Sequence, residues 1–428
     1  MLTPGQHVEL SVEKPAAGGR MIARHEGQVV FVLGAIPGER VVARIDKAER
    51  QLAFATTIEI VEPSPDRREP FVDPLCGGCL YAHVTYAGQL RIKGDILQDA
   101  FGRLGRIALP RVEVAPSPEH AYRMRGRLHV QGTQVGFYRE GTHTVCDAAS
   151  TAQMNPEAVT SAVGAVQMLQ ATGTAVVSVQ SSENIAGDQR ALHVELQPGT
   201  HLDGQLLHGI VRAHALTGCS ARSGTSTIEA GEPSVVDPLT SLTSGRATVG
   251  ILARRAESFF QANRYLLPQL VGCVLDSIPA EGEVLDLYAG VGLFSMALAS
   301  AGRTGIIAVE GDRSSGTDLR QNAAQFPDAV QAMPGSVERY LSGPERKEPN
   351  VVIVDPPRTG ISKAAMQAVA ALGADRVVYV SCDPPTMARD ARRLLDAGYE
   401  LDRLSGFDLF PNTPHVESLG VFTRIHHG

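Results

Sequence analysis

The chain has 428 residues, 43% hydrophobic and 20% charged, with a formal net charge of −7. That length supports two or three separately packed units of ordinary globular composition. The acidic surplus argues against a protein that coats nucleic acid non-specifically, and the lack of any run of about 18 apolar residues argues against a membrane span.

The opening MLTPGQHVELSVEK shows no basic stretch followed by an apolar core, so no signal peptide is expected. Residues 1–66 read as a small β-domain. VEL, VVFV and VVARI are short β-prone runs punctuated by Gly18-Gly19, Gly34 and Pro37-Gly38, and Glu62–Asp66 has the composition of a linker. The segment 14–45, KPAAGGRMIARHEGQVVFVLGAIPGERVVARI, resembles the TRAM domain, a small barrel found on RNA-modifying enzymes. That resemblance implies that Arg20, Arg24 and the turn backbones offer contacts to RNA.

Residues 67–250 form a mixed region. Leu90, Ile96, Leu97, Ala100, Phe101 and Leu104 recur at near-helical spacing and predict one amphipathic helix within 86–104. RLHVQG, QVGFYR, AVVSVQ and ALHVELQ then predict a β-rich central domain, with no clear periodicity over 206–250. Arg103, Arg106, Arg111, Arg123, Arg125 and Arg127 crowd one stretch, as phosphate contacts or as a solvated face. From 251 to 428 the pattern changes. EVLDLYAG, TGIIAVEGD, NVVIVDPP and RVVYVSCDPP alternate with helical stretches, which predicts an α/β unit built on a doubly wound, Rossmann-like parallel sheet.

VLDLYAGVGLFS (284–295) reads as strand, glycine turn and helix. Gly290 and Gly292 let backbone approach a ligand, and the helix start turns its N–H groups toward it. Glu310 ends the next strand, where an acid can accept hydrogen bonds from ribose hydroxyls. A dinucleotide and S-adenosylmethionine both fit this much. Asp355-Pro356-Pro357-Arg358 after a later strand is similar to the loop that class I methyltransferases set beside the transferred methyl, which favours S-adenosylmethionine.

Cys382 follows the apolar run Val377–Val380 and precedes two prolines, so its thiol faces the crevice at the strand ends. Enzymes that methylate exocyclic amines place an aromatic residue after Asp-Pro-Pro; Arg358 stands there instead. A thiol suits methylation of carbon. C5 of uracil is a poor nucleophile until a thiolate adds at C6, and the C5 proton must afterwards be removed by a base. Glu417, in LFPNTPHVESL, is the candidate base, with His415 as a second.

SFFQANRYLLPQL, VLDLYAGVGLFS, VVIVDPPRTG, VVYVSCDPPT and LFPNTPHVESL, in this order, resemble the uracil-5 RNA methyltransferases, which make 5-methyluridine in tRNA and 23S rRNA. The resemblance implies cofactor contacts at Gln261, Tyr288, Glu310 and Asp355, a nucleophile at Cys382 and a base at Glu417. It also implies RNA as partner, with Arg358, Arg123 and Arg125 as substrate contacts. The family's usual Asn after the nucleophile is Asp383 here. Many TRAM-bearing members carry a four-iron, four-sulfur cluster. Of its cysteine pattern Cys76 and Cys79 persist, but Pro70 occupies the first position and the fourth falls near Thr151. Cys146 is displaced by about five residues, roughly 15 Å along an extended chain. No cluster or other metal is therefore expected, and Cys76 and Cys79 are left as a dithiol, a disulfide or packed small residues. The scattered cysteines place the chain in the reducing cytoplasm; a monomer is expected. The alternatives are a non-catalytic RNA-binding protein with the same fold, and an RNA methyltransferase of another base.

Overall fold

A computed structural model describes residues 2–201, 203–344 and 348–425; the extreme ends of the first and last predicted domains lie outside these. Strands His7–Pro15, Met21–His25, Gln28–Leu33, Arg40–Ala48 and Leu52–Glu62 close into a barrel. Val8, Leu10 and Val12 alternate inward along the first strand. Glu26 and Gly27, both at positive φ, make the two-residue turn that pairs His25 with Gln28.

The central sheet has seven strands. Arg125–Gln131 lies between Val176–Glu183 and Gln134–Tyr138; Val145–Asp147 extends one side, and Arg190–Leu196, Gly218–Ser223 and Ser226–Gly231 extend the other. Two helices, Pro156–Ala171 and Gly204–Ala213, cover one face and pack Ala162, Val166, Leu169, Leu207 and Ile210 onto Leu128, Val179, Leu192 and Val194. Neither helix was predicted. The first buries small residues (Ala158, Ser161, Ala162 and Ala165) among Val159, Val166 and Leu169, which gives little hydrophobic contrast; its one clear signal was Pro156 in the first turn after Asn155.

The third sheet has eight strands in the order Val330–Pro334, Ile306–Glu310, Val284–Leu287, Val351–Val354, Arg376–Ser381, Glu417–Arg424, Tyr399–Phe407, Val114–Ala115. The first five run parallel, and Glu417–Arg424 is antiparallel to both its neighbours. Alternate residues feed two cores. Val284, Ile306, Val351 and Val378 meet the helices Leu267–Asp276 and Leu293–Ser300, while Leu285, Ile307, Val352 and Val377 meet Lys363–Ala371 and Pro384–Asp396. Such strands read as unbroken apolar runs because both faces are buried.

The stretch 67–115 joins what the sequence separates. Helix Tyr86–Ala100 gives Ile92 and Ile96 to the barrel core, and Leu97 to a cluster with Val112, Val114 and Val416. Strand Val114–Ala115, inside the predicted central region, pairs with Tyr399–Phe407 of the large sheet. Among the described residues no helix is long and apolar enough to cross a membrane.

Candidate active site

Five parallel strands end on one edge of the large sheet, and the chain turns out of them at Tyr288, Glu310, Asp355 and Cys382. A strand-end crevice of this kind is where open α/β sheets hold ligands. The antiparallel strand completes it. Ser381 pairs with Ser418, and the Ser418 hydroxyl donates to the Ser381 carbonyl (2.9 Å). Cys382 and Glu417 flank that last pair, close enough for the Glu417 charge to raise the Cys382 pKa.

The glycine turn is built as the spacing predicts. Tyr288 is held at φ 61°, in the left-handed region that non-glycine residues rarely occupy. A Cβ on Gly290 would meet nothing within 4 Å, which leaves open space above the turn, whereas one on Gly292 would lie 2.8 Å from Leu319. The Glu310 carboxylate accepts from Gly290 N–H (2.8 Å) and Asp312 N–H (2.5 Å), tying the second strand end to the turn.

Four carboxyl groups and a thiol share the crevice. Asp286 is fully buried; one oxygen accepts from the Ser295 hydroxyl (2.6 Å) and the other has no partner among the described residues. Burial pushes its pKa up to about 7. Asp355 is held by the Gln261 side-chain amide (3.2 Å), and burial, then the nearby Asp286 charge, raises its pKa. Glu417 is raised well above the usual carboxylate range by burial and then by Asp355, with Arg358 acting in the opposite sense. For Cys382 burial and Glu417 outweigh Arg358, and the thiol is pushed up to about 12. The resting sulfur is thus a thiol, not the thiolate that a nucleophile requires.

Cys382, Glu417, Asp355, Gln261 and Arg358 are therefore one constellation. Asp383 caps the following helix, accepting from Thr386 N–H (2.8 Å), which is work that asparagine does equally well. His415 packs edge-on to Phe410 at 6.1 Å, and burial next to Arg358 lowers its pKa to about 4, so it is a neutral ring. Arg123 lies over the Phe410 ring at 5.8 Å and donates to Gln153 (2.9 Å), at the rim of the crevice. Arg125 is turned to the Ser258 carbonyl (2.9 Å) and to Gln180 (2.9 Å) and does not join the group. Two residues were missed. Asp286 carried a signal, a lone acid inside an apolar strand. Asn263, fully buried, caps the following turn through Tyr265 and Leu266 N–H and donates to the Leu409 carbonyl (3.1 Å).

The cysteines depart from expectation. Cys146 is not distant from Cys76: the two form a disulfide with Cα atoms 6.0 Å apart, and Cys79 lies buried in the same small cluster. Gly136 permits the approach, since a Cβ there would lie 1.8 Å from the Cys146 carbonyl oxygen. A four-thiolate iron–sulfur cluster does not fit this donor set: two sulfurs are bonded to each other, and burial pushes the remaining thiol, Cys79, up to about 12.

The sheet and its crevice define an α/β methyltransferase. The solved structure of a Pyrococcus abyssi tRNA (uracil-54, C5)-methyltransferase, in complex with S-adenosyl-L-homocysteine, superposes with a TM-score of 0.76 over 97% of this chain and 99% of its own, at 22% identity. The TRAM domain family matches residues 2–58, and the tRNA (uracil-5-)-methyltransferase family matches residues 344–425. A 23S rRNA (uracil(1939)-C(5))-methyltransferase of Alkalilimnicola ehrlichii is 31% identical over 98% of this chain and 97% of its own. An uncharacterized RNA methyltransferase of Streptomyces coelicolor is 30% identical over 97% of this chain and 93% of its own. The chain belongs to the RNA (uracil-C5-)-methyltransferase family, whose methyl donor is S-adenosylmethionine.

Proposed function

We propose that the protein methylates C5 of a uridine in ribosomal or transfer RNA through a transient bond between Cys382 and C6 of the base. The observation that supports this reading is the Ser381–Ser418 pairing, which brings together the strand ends next to Cys382 and Glu417, with the Glu417 and Asp355 charges felt at the Cys382 thiol. The open space over Gly290, the half-partnered Asp286 and the Glu310 carboxylate suit S-adenosylmethionine, with Gln261, Tyr288, Gly290, Gly292, Glu310 and Asp355 around it. Bound there, that cofactor supplies the methyl group as an electrophilic sulfonium. The sheet order supports a doubly wound, class I cofactor-binding unit.

The uridine must leave its stack to reach the crevice. Cys382 releases its proton to water and, as a thiolate beside Arg358, adds to C6; the C5–C6 π electrons pass to C5, which would take the methyl group as the donor's sulfur–methyl bond breaks and the donor leaves as a neutral thioether. Once C5 carries the methyl group, Glu417 takes the C5 proton, the double bond re-forms and the C6–S bond breaks. Arg358 is the cation that favours the thiolate, and Arg123, at the rim, is positioned for a phosphate. The reading includes a cytoplasmic, monomeric enzyme.

Incubation with isotope-labelled S-adenosylmethionine and total RNA, followed by nucleoside mass spectrometry, tests this. Labelled 5-methyluridine is expected from the wild type and none from Cys382→Ala. Label in another base, or in no base at all, overturns the proposal.

A further inference from the structure

We infer that the open margin of the helix-free face of the central sheet, beyond the part covered by the strands Ser234–Pro238 and Ile251–Arg255, is a track for single-stranded RNA flanking the target uridine, with Arg127 as a phosphate contact and the His129–Tyr138 stack as a platform for an unpaired base. The inference deepens the RNA methyltransferase reading and rests on it. Along strand Arg125–Gln131 the side chains alternate between faces. Gly126 and Leu128 point into the core beneath the two helices, so Arg125, Arg127 and His129 leave by the opposite face, and Arg123 precedes them in the same alternation. The line starts at the catalytic rim, where Arg123 covers Phe410, and runs outward for about 20 Å.

Each cation is anchored differently. Arg125 is consumed by Gln180 and the Ser258 carbonyl. Arg127 is exposed and donates through Nε to the Ser178 hydroxyl (3.2 Å), and no carboxylate pairs with it among the described residues. Neighbouring arginines do have acids: Arg139 has Asp73 and Arg222 has Glu195. In a chain of net charge −7, an exposed guanidinium left without an acid next to the catalytic rim suits an anion from a partner. Beyond it His129 stacks on Tyr138, ring centres 3.7 Å apart and planes 13° from parallel, and His143 meets Tyr138 edge-on at 5.3 Å. Tyr138 remains 37% exposed. Burial, then Arg127 and His143, lowers the His129 pKa, which favours the neutral ring. A cation beside an aromatic stack at an exposed sheet margin is how unpaired nucleotides are held; a duplex keeps its base faces covered.

The test is fluorescence anisotropy with labelled oligouridine of about twelve and about four nucleotides, on the full chain saturated with S-adenosyl-L-homocysteine, over a series of salt concentrations. Tyr138→Ala is expected to weaken the longer oligomer about tenfold, Tyr138→Phe to bind as wild type, and neither to change the shorter one. Arg127→Ala is expected to reduce the slope of log affinity against log salt by about 0.7, the share of one phosphate contact on a single strand. Unchanged affinity and slope in both alanine variants overturns the track, as does a duplex of the same length that competes equally. If the wild type binds neither oligomer and methylates no RNA, the parent reading fails; if it methylates RNA while the variants bind as wild type, only the track fails.

Discussion

Lys93→Met tests how the catalytic loop is held in place. Lys93 and Asp408 are both fully buried and paired, and the Lys93 ammonium also donates to the Phe410 carbonyl (3.0 Å). One end of this pair sits on helix Tyr86–Ala100, and the other opens the loop that runs through His415 to Glu417. Methionine fills the volume of the lysine stem but leaves the Asp408 carboxylate in an apolar site, at a cost of about 3–5 kcal/mol. Lys93→Met with Asp408→Leu removes both charges and should recover most of that loss, with a coupling of about 2 kcal/mol or more. Because the chain has no tryptophan, unfolding in urea is best followed by circular dichroism. Methyl transfer by Lys93→Met should lose kcat more than KM, since the loop presents a base and not a binding surface. If each single variant costs less than about 1 kcal/mol and the two add, the pair does not hold the loop.

Three further outcomes follow from the crevice. Asp383→Asn keeps the helix cap but removes the smallest of the charges that raise the Cys382 pKa, so Cys382 alkylation by iodoacetamide should shift slightly to lower pH, and Arg358→Ala should shift it upward by more. Gly290→Ala places a methyl group in the open space over the turn. S-adenosyl-L-homocysteine affinity, measured by calorimetry, should fall about tenfold or more, with a small change in melting temperature from the φ of 58°. Asp286 rises from 3.8 to about 7 on folding, so its contribution to stability is full below about pH 4 and is lost as pH rises through 7. Asp286→Asn keeps a partner for Ser295, and its melting temperature should gain on the wild type across that interval.

Much of the catalytic unit was legible because its strands are buried on both faces and their ends carry Gly290, Asp355 and Cys382. Proximity of Cys382 and Glu417 was not, since it depends on which strand the last one pairs with, a tertiary choice with no local signal. The error over Cys146 has a similar origin. The extended-chain distance does not apply, because the hairpin turning at Gly141 folds Val145–Asp147 back along Gln134–Tyr138 and brings Cys146 beside Cys76. The missed helix Pro156–Ala171 shows the limit of hydrophobic periodicity when more than half of the buried residues are alanine or serine. Asp383 looked like a departure in chemistry and proved neutral for the backbone, because either side chain caps the helix; its charge is what differs.

The central claim is a sulfur–carbon bond that forms and is then released by a base. Intact-mass analysis of Glu417→Gln after incubation with S-adenosylmethionine and RNA, followed by nuclease trimming, examines both halves. The account predicts a protein carrying a methylated uridine attached to Cys382, and no such species in Cys382→Ala. Normal 5-methyluridine yield from Cys382→Ala, or an adduct mapped to a different residue, would contradict it.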